Sequence, residues 1–126
     1  MAGTLTISTL SDGTNSTSST NCIQGSAKAW VSWNGSTGAI RASYNVTSIT
    51  KNSTGNFTAN FTNAFADTSY SFVCGVYNDG AVGSGANFQI VAAPSGVTTS
   101  SLRVISGCPS NGGSYDSIYS CISVFR

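Results

Sequence analysis

Apolar and polar residues alternate in short runs along most of this chain, and clusters of Gly, Ser, Asn and Asp separate the runs. Side chains on a strand point to opposite faces in turn, so each run reads as a strand with one face buried. Thr4-Leu5-Thr6-Ile7-Ser8-Thr9-Leu10 has this pattern with β-branched residues and predicts a half-buried strand that opens the sheet. From Asp12-Gly13 to Asn21 the apolar periodicity stops. Residues 11–21 therefore read as a loop or an extended arm that can reach a neighbour.

The clearest pattern begins at Lys28. A strand over Lys28 to Trp33 places Trp30 and Trp33 on opposite faces, so both faces need cover. A Gly-containing turn at Asn34 to Gly38 leads into Ile40 to Tyr44, and the pair reads as a hairpin with a loop. Val46 to Lys51, a turn at Asn52 to Gly55, and Asn56 to Phe61 continue the series, with Phe57, Ala59 and Phe61 on the core side. Tyr70 to Tyr77 is almost continuously apolar beyond Phe72, which predicts a central strand ending at Asn78-Asp79-Gly80. Asn87 to Ala92, Thr99 to Ile105 and Ser117 to Phe125 complete the set, with breaks expected at Pro94-Ser95-Gly96 and in the Gly-rich stretch after Pro109. No segment has a helical period, although Asn63 to Asp67 suits a short helical turn. The expected fold is a single all-β domain over residues 1–126, an antiparallel β-sandwich or meander of about eight short strands.

Composition narrows the function classes. Charged residues make up 7% of the chain against 40% hydrophobic and 10% aromatic, with a formal charge of +1, so the chain has the apolar content to fold. Its basic residues, Lys28, Arg41, Lys51, Arg103 and Arg126, are scattered and form no phosphate-binding footprint. Nucleic acid and anionic membranes are accordingly poor partners. No stretch is apolar enough to cross a membrane, and Met1 to Thr4 does not begin an export signal. The sequons at Asn15, Asn45, Asn52, Asn56 and Asn60 then read as by-products of an Asn/Ser/Thr-rich composition. A hydroxyl and amide surface with low net charge offers little repulsion between copies, which favours a symmetric oligomer.

The chemistry-bearing residues are few. Cys22, Cys74, Cys108 and Cys121 lack the close spacing of metal or redox motifs and there is no His, so neither a metal nor another cofactor is expected. They read as thiols packed as small hydrophobes; the alternative is a bridge between Cys108 and Cys121 across the loop that starts at Pro109. Asp12, Asp67, Asp79 and Asp116 each sit in a turn-like setting, where a short carboxylate caps backbone amides. With no paired acids and no His-based triad, the chain does not read as an enzyme. Gly80 to Gly85 and Gly112-Gly113 lack the Lys-Ser/Thr ending of a phosphate loop and read as turns. Trp30, Trp33, Tyr44, Tyr77, Tyr115 and Tyr119 are candidates for a sugar-stacking platform, with the tryptophans expected in the core. Tyr115, Asp116 and Tyr119, beside the Gly112-Gly113 turn, combine aromatic and acidic groups and form the candidate receptor site.

The order of short words carries a family signal. Lys28-Ala29-Trp30-Val31, Trp33-Asn34-Gly35, Ile40-Arg41-Ala42-Ser43-Tyr44-Asn45-Val46, Ser48-Ile49-Thr50, Thr54-Gly55-Asn56-Phe57-Thr58 and Asn60-Phe61-Thr62 follow one another. This resembles a module of tailed-bacteriophage fibre and other virion appendage proteins, over roughly residues 10–70. The module commonly has Phe at the position of Trp33 and Val at that of Ala59. The resemblance implies a virion protein made in the host bacterial cytoplasm, homotrimeric, and lying on the tail or capsid surface in contact with other virion proteins. Its implied role is a tail-fibre or tail-tip component that binds host cell-surface polysaccharide. The alternative is a capsid decoration or head-fibre protein.

Overall fold

A computed structural model of the chain describes residues 3–77, 89–108 and 113–126; at 89–94 and 108 it covers the backbone alone. The expected turn at Asn78-Asp79-Gly80, the Gly80 to Gly85 segment and Pro109 to Gly112 lie outside the described residues. The elements are β1 (Thr9–Ser11), β2 (Ser16–Ser18), α1 (Ser19–Gly25), β3 (Ala27–Trp33), β4 (Ile40–Tyr44), β5 (Val46–Ser53), β6 (Asn56–Phe61), β7 (Ser71–Tyr77), β8 (Gln89–Val97), β9 (Ser101–Cys108), β10 (Gly113–Ser114) and β11 (Tyr119–Phe125).

The fold is all-β, as the alternation predicts. One sheet has the order β4-β3-β11-β7; in the other, β5 pairs β6, β6 pairs β9, and β9 also pairs β8 and β10. Every pairing is antiparallel. The inward residues of both sheets form one core: Ala29, Val31 and Trp33 of β3 and Ile122 and Val124 of β11 meet Phe57, Ala59 and Phe61 of β6 and Leu102 and Val104 of β9. Trp33 meets Phe57 edge to face, 5.9 Å between ring centres. At one end Phe61, Phe65 and Tyr70 form a second aromatic cluster, and the Tyr70 hydroxyl donates to the Thr98 carbonyl at 2.9 Å.

The chain passes from one sheet to the other between β4 and β5, at Asn45. Asn45 has φ +54°, a left-handed conformation that Asn tolerates better than most residues. Its amide nitrogen donates to the carbonyls of Lys28 (3.1 Å) and Asn63 (3.2 Å), and its side-chain oxygen accepts from the Asn63 amide at 2.8 Å. One side chain thus ties the crossover to β3 and to the segment after β6. With its amide engaged in this way, Asn45 has a structural use that its sequon does not suggest. Replacing Asn45 by Ala removes both the bonds and the tolerance of positive φ, for an expected loss of about 2–3 kcal/mol. Asn45→Gly keeps the backbone freedom and should lose less; equal losses in chemical denaturation would refute the backbone contribution.

Five expectations are corrected. The 4–10 segment is not a half-buried strand of the main sheet: β1 begins at Thr9, pairs with β2 alone, and Leu5, Ile7 and Leu10 are exposed. The 11–21 segment holds a hairpin turn, β2 and the start of a short helix. Ser18 caps that helix by accepting from the Asn21 amide at 3.1 Å. β7 lies at the edge of its sheet and not at the centre, because β11 returns to pair between β3 and β7. Pro94 does not break a strand: β8 runs through it with a register shift between Ala92 and Val97. Among the described residues β8 is paired on one side only, by β9, and an edge strand can hold a residue with no amide hydrogen to donate. Residues 63–67 form bends and no helix.

Candidate functional site: an aromatic sheet face

The two sheets present unlike outer faces. On the second sheet, Asn52, Asn56, Thr58 and Asn60 join neighbours in a hydrogen-bonded ladder. Asn52 Nδ2 donates to Thr58 Oγ1 (2.9 Å), Asn60 Nδ2 donates to Ser48 Oγ and Thr50 Oγ1 (both 3.0 Å), and Arg103 Nε donates to Asn56 Oδ1 (2.9 Å). These polar groups satisfy one another.

The first sheet is different. Because Ala29, Val31 and Trp33 turn inward, alternation turns Trp30 and Ser32 outward; the same rule sends Tyr119 and Cys121 of β11 and Val73, Gly75 and Tyr77 of β7 outward. Strand pairing puts Trp30 opposite Tyr44, Tyr119 opposite Tyr77, and Cys121 between Ser32 and Gly75. Among the described residues of the sandwich, every exposed large apolar side chain is on this face: Trp30, Tyr44, Val73, Tyr77 and Tyr119. Trp30 is 39% exposed and Trp33 fully buried, so the two tryptophans do separate to opposite faces, but the outer face is left uncovered.

A groove of about 250 Å³ is lined by Tyr77 and Tyr119 together with Ser32, Gly75 and Cys121. The two rings stand 6.4 Å apart, inclined at 60°. A side chain at position 75 would begin 3.0 Å from Cys121 Sγ, so the groove depends on glycine there. Beside the groove the Arg41 guanidinium lies 3.8 Å from the Tyr119 ring centre, a cation–π contact.

The residues expected to form a receptor site divide. Tyr119 lies on the aromatic face and is 49% exposed. Asp116 is engaged elsewhere: Oδ2 is 2.6 Å from Lys51 Nζ and Oδ1 accepts from the Gly55 amide at 2.8 Å, which fastens the loop before β11 to the β5–β6 turn. Tyr115 belongs to the same fastening. Its amide donates to the Ser106 carbonyl at 3.2 Å, its own carbonyl accepts from the Ser106 hydroxyl, and its ring lies against Gly113. Tyr119 finds Tyr77 and Arg41 instead. Tyr77 and Arg41 are distant from Tyr119 in sequence, and strand order brings them to it. Asp12 and Asp67 act as turn formers, each held below the usual carboxylate range chiefly by a backbone amide, from Asn15 and Ser69 respectively. Asp79 lies outside the described residues.

Cys22, Cys74 and Cys121 are free thiols, so the alternative bridge from Cys121 to Cys108 is not formed; the Cys108 side chain lies outside the described residues. The strands explain this, since Cys121 faces outward from the first sheet and β9, which carries Cys108, belongs to the second. Burial, with a smaller contribution from nearby Cys121, pushes the Cys74 thiol up to about 11. A thiol whose pKa is higher folded than unfolded contributes stability in full below the unfolded value, and the contribution is lost as pH rises through the folded one. Stability should therefore fall between about pH 9 and 11, with a shallower fall in Cys74→Ala. Thermal melts across that range check the slope. Among the described residues there is no cluster of three or more His, Cys, Asp or Glu, and no helix long and apolar enough to cross a membrane.

No protein-family model, curated protein or solved structure matches this chain.

Proposed function

We propose that this chain is a virion protein of a tailed bacteriophage, a tail-fibre or tail-tip component that attaches to the host cell surface. The observation that carries the reading is the one-sided aromatic face: five large apolar side chains stand exposed on one sheet while the opposite sheet satisfies its own polar groups. Exposed apolar patches with polar surroundings mark binding surfaces. The word order from Lys28 to Thr62 supports the phage assignment. The protein is a binding module and not an enzyme, and it works as a homotrimer on the virion surface. The trimer is supported by the edge strands β4, β7, β5 and β8 and by an arm whose Leu5, Ile7, Leu10 and Ile23 have no cover of their own.

The same uncovered arm also favours the second reading, a capsid decoration or head-fibre protein, because it suits docking to another virion protein. Immunogold electron microscopy of intact particles, with binding of the purified protein to host cells and to capsid shells, tests both. Tail labelling with cell binding is expected. Capsid labelling with shell binding selects the alternative, and absence from purified particles rejects both. Mass measurement at micromolar concentration should give three copies; a clean monomer rejects the trimer.

A further inference from the structure

We propose that the groove between Tyr77 and Tyr119 is a subsite for an acidic sugar, a uronic-acid residue whose ring stacks on Tyr77 and whose carboxylate pairs with Arg41. The inference rests on the attachment reading and names the ligand class of that face.

Four observations carry it. First, the charges are sorted. Lys51 pairs with Asp116, Arg126 with Asp67 through both carboxylate oxygens, Arg103 donates to Asn56, and Lys28 donates to Ser26 and to the Ile23 carbonyl. Among the described residues Arg41 alone of the five cationic side chains has no hydrogen-bond acceptor. Second, its guanidinium carbon lies over the Tyr119 ring, 3.8 Å from its centre. This contact leaves N–H groups free, and their fork matches a carboxylate.

Third, the groove suits a pyranose. A sugar ring has an apolar C–H face and a polar rim. Tyr77, 60% exposed, offers the ring surface, and the lining at Ser32 and Gly75 carries no large side chain to hold a flat ligand away. The rim has polar groups to spare, since the hydroxyls of Ser32, Tyr77 and Tyr119 have no partner among the described residues. Fourth, the size is right. A groove of about 250 Å³ is smaller than sites for drug-sized ligands and suits a single sugar ring. A neutral sugar would use the rings and leave Arg41 unpaired; an acidic one uses both.

The test is a titration of the isotopically labelled full chain, followed by NMR, with sodium glucuronate and galacturonate, against glucose and galactose, and with sodium acetate as the charge control. The uronates should shift the Arg41 Nε–Hε signal and the Tyr77 and Tyr119 ring signals with millimolar affinity. The neutral sugars should bind at least tenfold more weakly, and acetate should leave the rings unmoved. Arg41→Gln should remove the preference for uronates, Tyr77→Ala should weaken acidic and neutral sugars alike, and added salt should weaken the uronates alone. Both positions are exposed, so the variants should fold, and an unchanged melting curve checks this.

Equal response to uronate and parent sugar, response to acetate as strong as to uronate, or shifts confined to residues away from the groove would overturn the assignment. A face that takes a protein partner would leave all the sugars without effect, which also overturns it. The two readings fail separately. Protein that binds cells but shows no uronate response loses the groove assignment alone, whereas protein absent from particles loses the attachment reading whatever the titration gives.

Discussion

Trp33→Ala should destabilise the sandwich by roughly 3–5 kcal/mol, a large share of the stability of a domain of this size. Trp33 has no exposed surface and sits where the two sheets meet, against Phe57. Truncation there removes its own buried area and opens a cavity that neither sheet can close without losing register. Trp33→Phe should cost far less, under about 1.5 kcal/mol, since the shape is largely kept. Moreover, the indole Nε1 is buried without a hydrogen-bond partner, so no bond is lost with it. Urea melts of the two variants separate the effects. Comparable losses would refute the tolerance of Phe at this position.

Gly55→Ala should be nearly as damaging, at about 3 kcal/mol or more. Gly55 has φ +67°, and a Cβ there would lie 2.5 Å from the Ser106 carbonyl oxygen and 2.7 Å from the Tyr115 nitrogen. Both obstacles are backbone and cannot rotate away. The substitution would also disturb the Gly55 amide that holds Asp116 and the Gly55 carbonyl that accepts from the Ser106 amide at 2.7 Å. Gly13 is the control: its φ is +94°, but no atom lies within 4 Å of the added carbon, so Gly13→Ala should cost only the backbone strain of about 1 kcal/mol. Equal losses at the two positions would refute the packing explanation.

The strands whose one face is buried were legible because burial imposes the period of two. Phe57, Ala59 and Phe61 of β6 read correctly, as did the division of Trp30 from Trp33. β7 misled for the complementary reason. Its nearly unbroken apolar run suggests two covered faces, yet Val73 and Tyr77 are exposed, and their side of the strand belongs to the outer aromatic face. Alternation in residues 4–10 showed a strand-like pattern but could not show that neither sheet of the sandwich would receive it. The seven-residue helix has no buried residue and therefore left no apolar stripe to read. As for the site, Tyr119 was visible as an aromatic near turn residues. Its partners were not, since Arg41 and Tyr77 are distant in sequence and only the placement of β11 between β3 and β7 brings them to it. Asp116, which looked like part of a receptor loop, showed in sequence nothing of the Lys51 and Gly55 that occupy it.

The pairing of β3 with β11 has a further consequence. The first and last strands of the sandwich lie side by side at the centre of one sheet, with Ala27 in register with Phe125. The chain therefore enters and leaves the sandwich at neighbouring points on one rim. A domain of that form can be spliced into a surface loop of another protein, or circularly permuted by joining those points and opening the Asn34 to Gly38 turn, without spreading the host or breaking a strand.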